Sequence, residues 1–271
     1  MKTRILAAAV LVPALFVVIL ALPKIFTALL FGVMCAMSAY ELMYATGLVR
    51  HPRLQIYAMV SAFLVALWSY CGAPYAVGLL WVLIFVGILF GEMFLSLTKL
   101  RFDKLCVTIA AGLLIPFLLC SLIRIFMAEG RGRYLIMIPF VIAFLSDTFA
   151  YFVGCAIGKH KLAPVISPKK SVEGLVGGVL GAMAGMLLYG MILNLAFDFT
   201  VNYGYILVYG FVGSLAGVFG DLCFSAIKRQ TGIKDYANLI PGHGGILDRF
   251  DSMILVGPLT EVLLILLPAV M

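Results

Sequence analysis

The chain has 271 residues, 64% of them hydrophobic and 11% charged, with a mean hydropathy of +1.17. A soluble domain is closer to half apolar and a quarter charged, so this composition excludes one and specifies an integral membrane protein. The formal charge of +7 would suit a nucleic-acid binder, but where the cations lie argues otherwise.

Apolar runs near 5–22, 25–46, 54–72, 74–97, 105–128, 134–158, 174–194, 203–227 and 252–270 are each about long enough to cross ~30 Å of hydrocarbon as helix. They predict an all-α polytopic membrane fold of about nine spans. The first run starts with Lys2 and Arg4, as a secretory signal does. It lacks a small-residue cleavage site and continues through Pro13, so it reads as an uncleaved helix. Pro23 and Lys24 alone separate it from the second run. Two separate spans are expected there, with one re-entrant element as the alternative. No long linker, low-complexity tract or internal repeat interrupts the chain. The expectation is a single polytopic domain, 1–271, with 1–133 as helical scaffold and 134–271 carrying the polar motifs.

With the N-terminus placed inside, the inner segments hold 15 of the 19 Lys and Arg residues. Lys24, Arg131 and Arg133 fall on the opposite side, and Arg124 lies near the outer end of the fifth span. This asymmetry is a strong positive-inside signal. It explains the net charge without nucleic acid, and it places the N-terminus and the polar motifs in the cytoplasm. A chain without an organelle-targeting extension is expected in the plasma (inner) membrane of a prokaryote.

Small residues recur every four positions at Gly177, Gly181 and Gly185, at Gly154 and Gly158, and at Gly213 and Gly217. Such rows let helices approach closely in lipid. The six cysteines are scattered through apolar stretches without CxxC or Cys–His spacing, and read as reduced packing residues.

The chemistry is concentrated between Ser225 and Asp251, SAIKRQTGIKDYANLIPGHGGILDRFD. Asp221, Ser225 and Lys228 stand at i, i+4 and i+7, on one face of the eighth span as it leaves the membrane. A carboxylate, a hydroxyl and an ammonium in one row suit a metal–polyphosphate complex; the plain alternative is a helix end whose cations snorkel to headgroups. Asp248 and Asp251, three apart, share a face if a helix begins there, and Asp248 is expected to complete the metal site. Pro241–Gly245 is a glycine-rich turn whose N–H groups can converge on an anion, with His243 at its centre. A second cluster comprises Asp147, which is costly within an apolar span, and the basic loop with Lys169 and Lys170. Glu41, Glu92 and Glu261 read instead as interfacial or interhelical hydrogen-bonding groups.

On these residues the chain resembles a known family. The run Ser225-x-Ile227-Lys228-Arg229, Lys234-Asp235, Ile240-Pro241-x-His243-Gly244-Gly245-Ile246-x-Asp248-Arg249-Phe250-Asp251 resembles the signature of the phosphatidate cytidylyltransferases (CDP-diacylglycerol synthases). Ser146-Asp147-Thr148-x2-Tyr151 and Ser167-Pro168-Lys169-Lys170-Ser171-x-Glu173-Gly174 resemble further segments of that family, while the first half matches in character only. The resemblance implies transfer of CMP from CTP to phosphatidate, giving CDP-diacylglycerol and pyrophosphate, with Mg²⁺ as one or two cations. Asp221, Asp248 and Asp251 would hold the metal. Asp221, Asp248, Lys228 and Arg229 would be catalytic. Asp147, Lys169, Lys170, Ser225, Lys234, His243, Gly244, Gly245 and Arg249 would bind substrate. A homodimer is expected from the family and from the small-residue faces.

Two other readings compete. A polyprenol kinase would move the γ-phosphate of CTP. A secondary transporter would use the intramembrane acids as cation sites, but the charges gather on one face of the membrane, away from its midplane.

Overall fold

The computed structural model describes residues 2–95, 100–237 and 244–270, with side chains from Val10 onward. His243, Pro241, Gly242 and Lys99 lie outside the described residues. The chain forms two compact units, Met1–Met127 with Gln230–Phe250, and Ala128–Arg229 with Asp251–Met271. The polar signature is therefore divided: Asp221, Lys228, Arg229 and Asp251 belong to the second unit, and the loop between them to the first.

The first unit opens with α1 (Lys2–Leu20), α2 (Lys24–Ala45), α3 (Pro52–Cys71), α4 (Tyr75–Leu95) and α5 (Phe102–Phe126). Its helix limits follow local chemistry. Pro23 caps the start of α2, so the first two apolar runs are separate helices. Pro52 occupies the first turn of α3, where its missing N–H is harmless, and Gly72 ends that helix at φ 56°. Inside α5, Ala110–Leu114 forms a π-helical segment. There Gly112 admits α3 so closely that a Cβ would sit 3.0 Å from Ala58 Cα and 2.8 Å from the Phe85 ring. The Cys35 and Cys120 sulfurs pack 3.7 Å apart, and all six cysteines are free, as expected. Glu92 links helices as expected, accepting from the Tyr57 hydroxyl at 2.9 Å and pairing with Arg53.

The second unit comprises α6 (Gly132–Ile157), a hairpin of β1 (Lys161–Ala163) and β2 (Ser167–Ser171), α7 (Val172–Phe197) and α8 (Tyr203–Gln230). After the short α9 (Leu247–Phe250) of the first unit comes α10 (Met253–Leu266). The hairpin is antiparallel, with Lys161 opposite Ser171 and Ala163 opposite Ser167. It is a small departure from the expected all-α chain. Ser171 ends β2 and starts α7 at once, its Oγ accepting from the Gly174 N–H at 3.1 Å. The glycine rows pack α7 on α6: a Cβ at Gly181 would meet the Phe149 side chain at 2.3 Å, and one at Gly178 would meet the Ser146 carbonyl at 2.8 Å. Gly213 similarly faces Ile142, and Gly217 faces Val256. These faces are thus used within one chain, which removes them as an argument for the expected homodimer.

Seven helices, α2 to α8, are long and apolar enough to cross a membrane among the described residues, against the nine expected. The difference lies at the ends. The described apolar part of α1 is Val10–Leu20. The helix α10 has 14 residues, about 21 Å at 1.5 Å each, short of ~30 Å. Pro268 stops it, because the residue before a proline is pushed out of helical geometry. The tail then turns back: Asn202 N–H donates to the Ala269 carbonyl at 2.8 Å, and Tyr209 Oη donates to Leu267 O at 2.8 Å.

Candidate active site

In the second unit the acids and cations gather around α8. Asp221 and Ser225 are one helical turn apart, and the Ser225 hydroxyl donates to Asp221 Oδ1 at 3.1 Å. The other oxygen, Oδ2, forms an ion pair with Lys170 Nζ from β2, both side chains being about a quarter exposed. The sequence placed Asp221 and Lys170 in separate clusters; the fold joins them directly. Lys228, two turns along the same helix, is buried. Arg229 Nε donates to the Ile166 carbonyl at 3.2 Å, tying the end of α8 to the hairpin turn.

Asp251 reaches this group from the segment that leads into α10. Gly220, next to Asp221, makes the approach possible: a Cβ there would lie 2.8 Å from the Asp251 carbonyl oxygen. Asp251 is buried, and its Oδ1 accepts from the Ser252 N–H at 2.8 Å. Burial first, then the nearby charge of Asp221 and more weakly that of Asp147, push its carboxyl up to about 7, against the lowering effects of the Ser252 N–H and Lys228.

Among the described residues no three acid, His or Cys side chains converge as a complete metal cage. Mg²⁺ rarely has one: it keeps several waters and is held by one or two carboxylates together with substrate phosphates. The Asp221–Asp251 pair fits that demand, with hard oxygen donors and an unfavourable mutual charge that a divalent cation would relieve.

Beside this cluster lies a cavity of about 450 Å³, whose lining includes Asp147, Lys161, Lys169, Lys170, Leu162 and Leu175. That volume is in the range of small-molecule sites, about 300–1,000 Å³. Three lysines and one acid beside two leucines can receive an anionic group attached to an apolar body. Glu173, in the first turn of α7, holds the hairpin in place. Its carboxylate accepts from the Lys159 N–H at 3.1 Å and the His160 N–H at 3.2 Å, and Oε1 lies 2.6 Å from the His160 ring Nδ1.

In the first unit, two acids bind backbone N–H groups of the described parts of the signature segment. The buried Asp248, in α9, accepts at Oδ2 from the Tyr236 N–H (2.8 Å) and the Gly245 N–H (3.0 Å). This is the residue the sequence offered as a metal ligand; its Oδ2 serves the two amides. Glu41, buried near the end of α2, accepts from the Ile246 N–H at 2.9 Å and the Leu247 N–H at 2.8 Å. It thereby serves the first turn of α9, where amides have no intrahelical partner. The glycines are steric requirements. Gly244 has φ +83°, and a Cβ on Gly245 would fall 2.4 Å from Glu41 Oε2. Lys234 and Arg249 are exposed. Sequence reasoning set Glu41 aside as an interhelical group and left Glu173 out of the site. An acid in or at the end of an apolar run was the only signal for Glu41, and four other acids, Glu92, Asp147, Asp221 and Glu261, shared it.

A family model described as the cytidylyltransferase family matches residues 2–267. Similar curated proteins include the phosphatidate cytidylyltransferases of Staphylococcus saprophyticus (43% identical), Staphylococcus haemolyticus (42%) and Staphylococcus aureus (44%). Each match runs over 137 residues, 51% of this chain and 51% of the relative. The chain thus spans about half the length of the curated relatives it matches.

Proposed function

Because the chain belongs to the cytidylyltransferase family, we propose that it is a phosphatidate cytidylyltransferase of a bacterial inner membrane, with its N-terminus and active site on the cytoplasmic side. The observation that carries this reading is the convergence of Asp221, Lys170, Lys228 and Asp251 beside a lysine-lined cavity. In the reaction a phosphate oxygen of phosphatidate attacks the α-phosphorus of CTP. The new P–O–P bond forms as the bond to the β-phosphate breaks, and pyrophosphate leaves with the electron pair. The attacking lipid is already an anion, so no protein nucleophile is needed. What the protein supplies is positioning and charge neutralisation.

Asp221 and Asp251 would hold Mg²⁺, which when bound neutralises phosphate charge and orients the triphosphate. Lys170 keeps the Asp221 carboxylate oriented. Lys228 offsets the negative charge between Asp221 and Asp251. Lys161 and Lys169 face the cavity, where they receive the phosphate of the lipid or of CTP. Glu173 fixes the hairpin that carries them. By the resemblance, Lys234, Gly244, Gly245 and Arg249 would contact substrate; within the first unit, Asp248 and Glu41 bind the backbone N–H groups on the described parts of their segment. The homodimer expected from the resemblance is part of this proposal and rests on the resemblance alone.

The test uses purified protein with phosphatidate, Mg²⁺ and CTP labelled separately at the α- and γ-phosphates. Label from the α-position entering lipid, with release of pyrophosphate, is the expected result. Label from the γ-position entering lipid would make the enzyme a kinase and overturn the assignment of the attacked phosphorus.

A further inference from the structure

A cavity in the first unit has no part in the chemistry above. It measures about 620 Å³, and its lining, which includes Leu64, Trp68, Trp81, Leu113 and Phe117, is almost wholly apolar. It lies between α3, α4 and α5, at the end of α3 remote from the α2–α3 connection. From Cys71 to Leu64 it follows α3, about 10 Å of helix. Leu113 and Leu114, in the π-helical segment of α5, form part of its wall, and such segments recur at functional sites. The wall contributed by α4 belongs to a helix of which only 11% is buried, so the cavity stands beside a lipid-facing surface.

One charged feature beside it makes it more than a gap between helices. The Arg124 guanidinium stacks over the Phe117 ring at 4.5 Å, and Phe117 lines the cavity. Arg124 Nη1 donates to the Phe117 carbonyl at 3.1 Å and lies 3.5 Å from Ser69 Oγ, which hold the cation at the helix-end side of the cavity. Trp68 stacks against Phe117 from α3, with ring centroids 6.3 Å apart. An apolar slot about 10 Å deep, with an arginine stacked on one of its lining rings, matches the two ends of a phospholipid: acyl chain and phosphate. Arginine is suited to the last of these, because its planar fork of donors fits phosphate oxygens.

We propose that this cavity is a binding site for one anionic phospholipid of the bilayer, with an acyl chain between α3, α4 and α5 and the phosphate on Arg124. The lipid would brace α5 where its helical hydrogen bonding is irregular. The site is independent of the proposed reaction and stands even if that reading fails.

The chain has two tryptophans, Trp68 and Trp81, and both line the cavity. Intrinsic fluorescence therefore reports on its contents. The experiment places the full chain in phosphatidylcholine nanodiscs and titrates in phosphatidylglycerol brominated on its acyl chains, with brominated phosphatidylcholine as comparator. The expected result is saturable quenching by the anionic lipid, at a mole fraction about tenfold lower than for the zwitterionic one, the effect of one charged hydrogen-bonded contact. Arg124→Gln brings the two curves together, and Arg124→Lys keeps them apart. Superimposed curves for the wild-type chain would overturn the proposal, and so would an unchanged preference in Arg124→Gln. Should that variant fail to fold, the wild-type comparison decides alone, together with native mass spectrometry of the lipid retained on purification. Absence of quenching by either lipid, with a dimer in the mass spectrum, would assign the groove to a second copy of the chain.

Discussion

Glu41→Gln tests whether the first half of the chain takes part in building the site. The Glu41 carboxylate accepts two backbone N–H groups from residues 205 and 206 positions away, Ile246 and Leu247, in a buried setting. Glutamine is nearly the same size but has one acceptor oxygen, and its NH₂ group would face an N–H donor. One charged hydrogen bond is lost and one buried amide loses its acceptor, a cost of about 1.5–3 kcal/mol. If the segment must be seated for turnover, the seated population falls by about ten- to a hundredfold. CMP transfer from α-labelled CTP should drop by that factor. Hydrogen exchange at the Ile246 and Leu247 amides should accelerate, while the buried helices of the same unit stay protected. Glu41→Ala removes both acceptors and should lose about twice as much free energy. Gly245→Ala should behave like Glu41→Gln, because its methyl group would displace the carboxylate. Wild-type turnover in Glu41→Gln, with unchanged exchange at both amides, would refute the reasoning.

Asp221→Asn should abolish turnover while the protein remains inserted and folded, because it removes the charge that faces Lys170 and that would hold the proposed metal; retention of most activity would remove Asp221 from the proposed metal site. Asp251→Asn should likewise abolish activity, and should raise the Mg²⁺ concentration needed for any residual turnover, which a metal titration measures. Glu173→Gln loosens the hairpin without touching the reacting atoms. It should lower kcat/KM by about tenfold and leave the metal requirement unchanged, whereas an altered Mg²⁺ dependence would place Glu173 in the metal site itself.

Much of this protein is written in short stretches of sequence. Membrane spans announce themselves by local hydropathy, and α2 to α8 lie where the apolar runs place them. The glycine rows specify the packing of α6 on α7 for the same reason: a missing side chain every fourth residue forms one face. The i, i+4, i+7 row of Asp221, Ser225 and Lys228 follows from helix geometry, and the Ser225–Asp221 hydrogen bond bears it out.

Other features exist only once distant stretches meet. Lys170 joins Asp221 across 51 positions, and Glu41 meets Ile246 across 205. Neither pairing leaves a local mark, since each acid looks in sequence like any other acid in an apolar run. Asp248 and Asp251 share a spacing that suggested one role. Tertiary structure gives them different surroundings, amide donors for one and neighbouring acids for the other. The sequence by itself determined which residue types and helices were available. The fold decided which charges meet, because electrostatic partnership depends on distance in space and periodicity reports only distance along the chain.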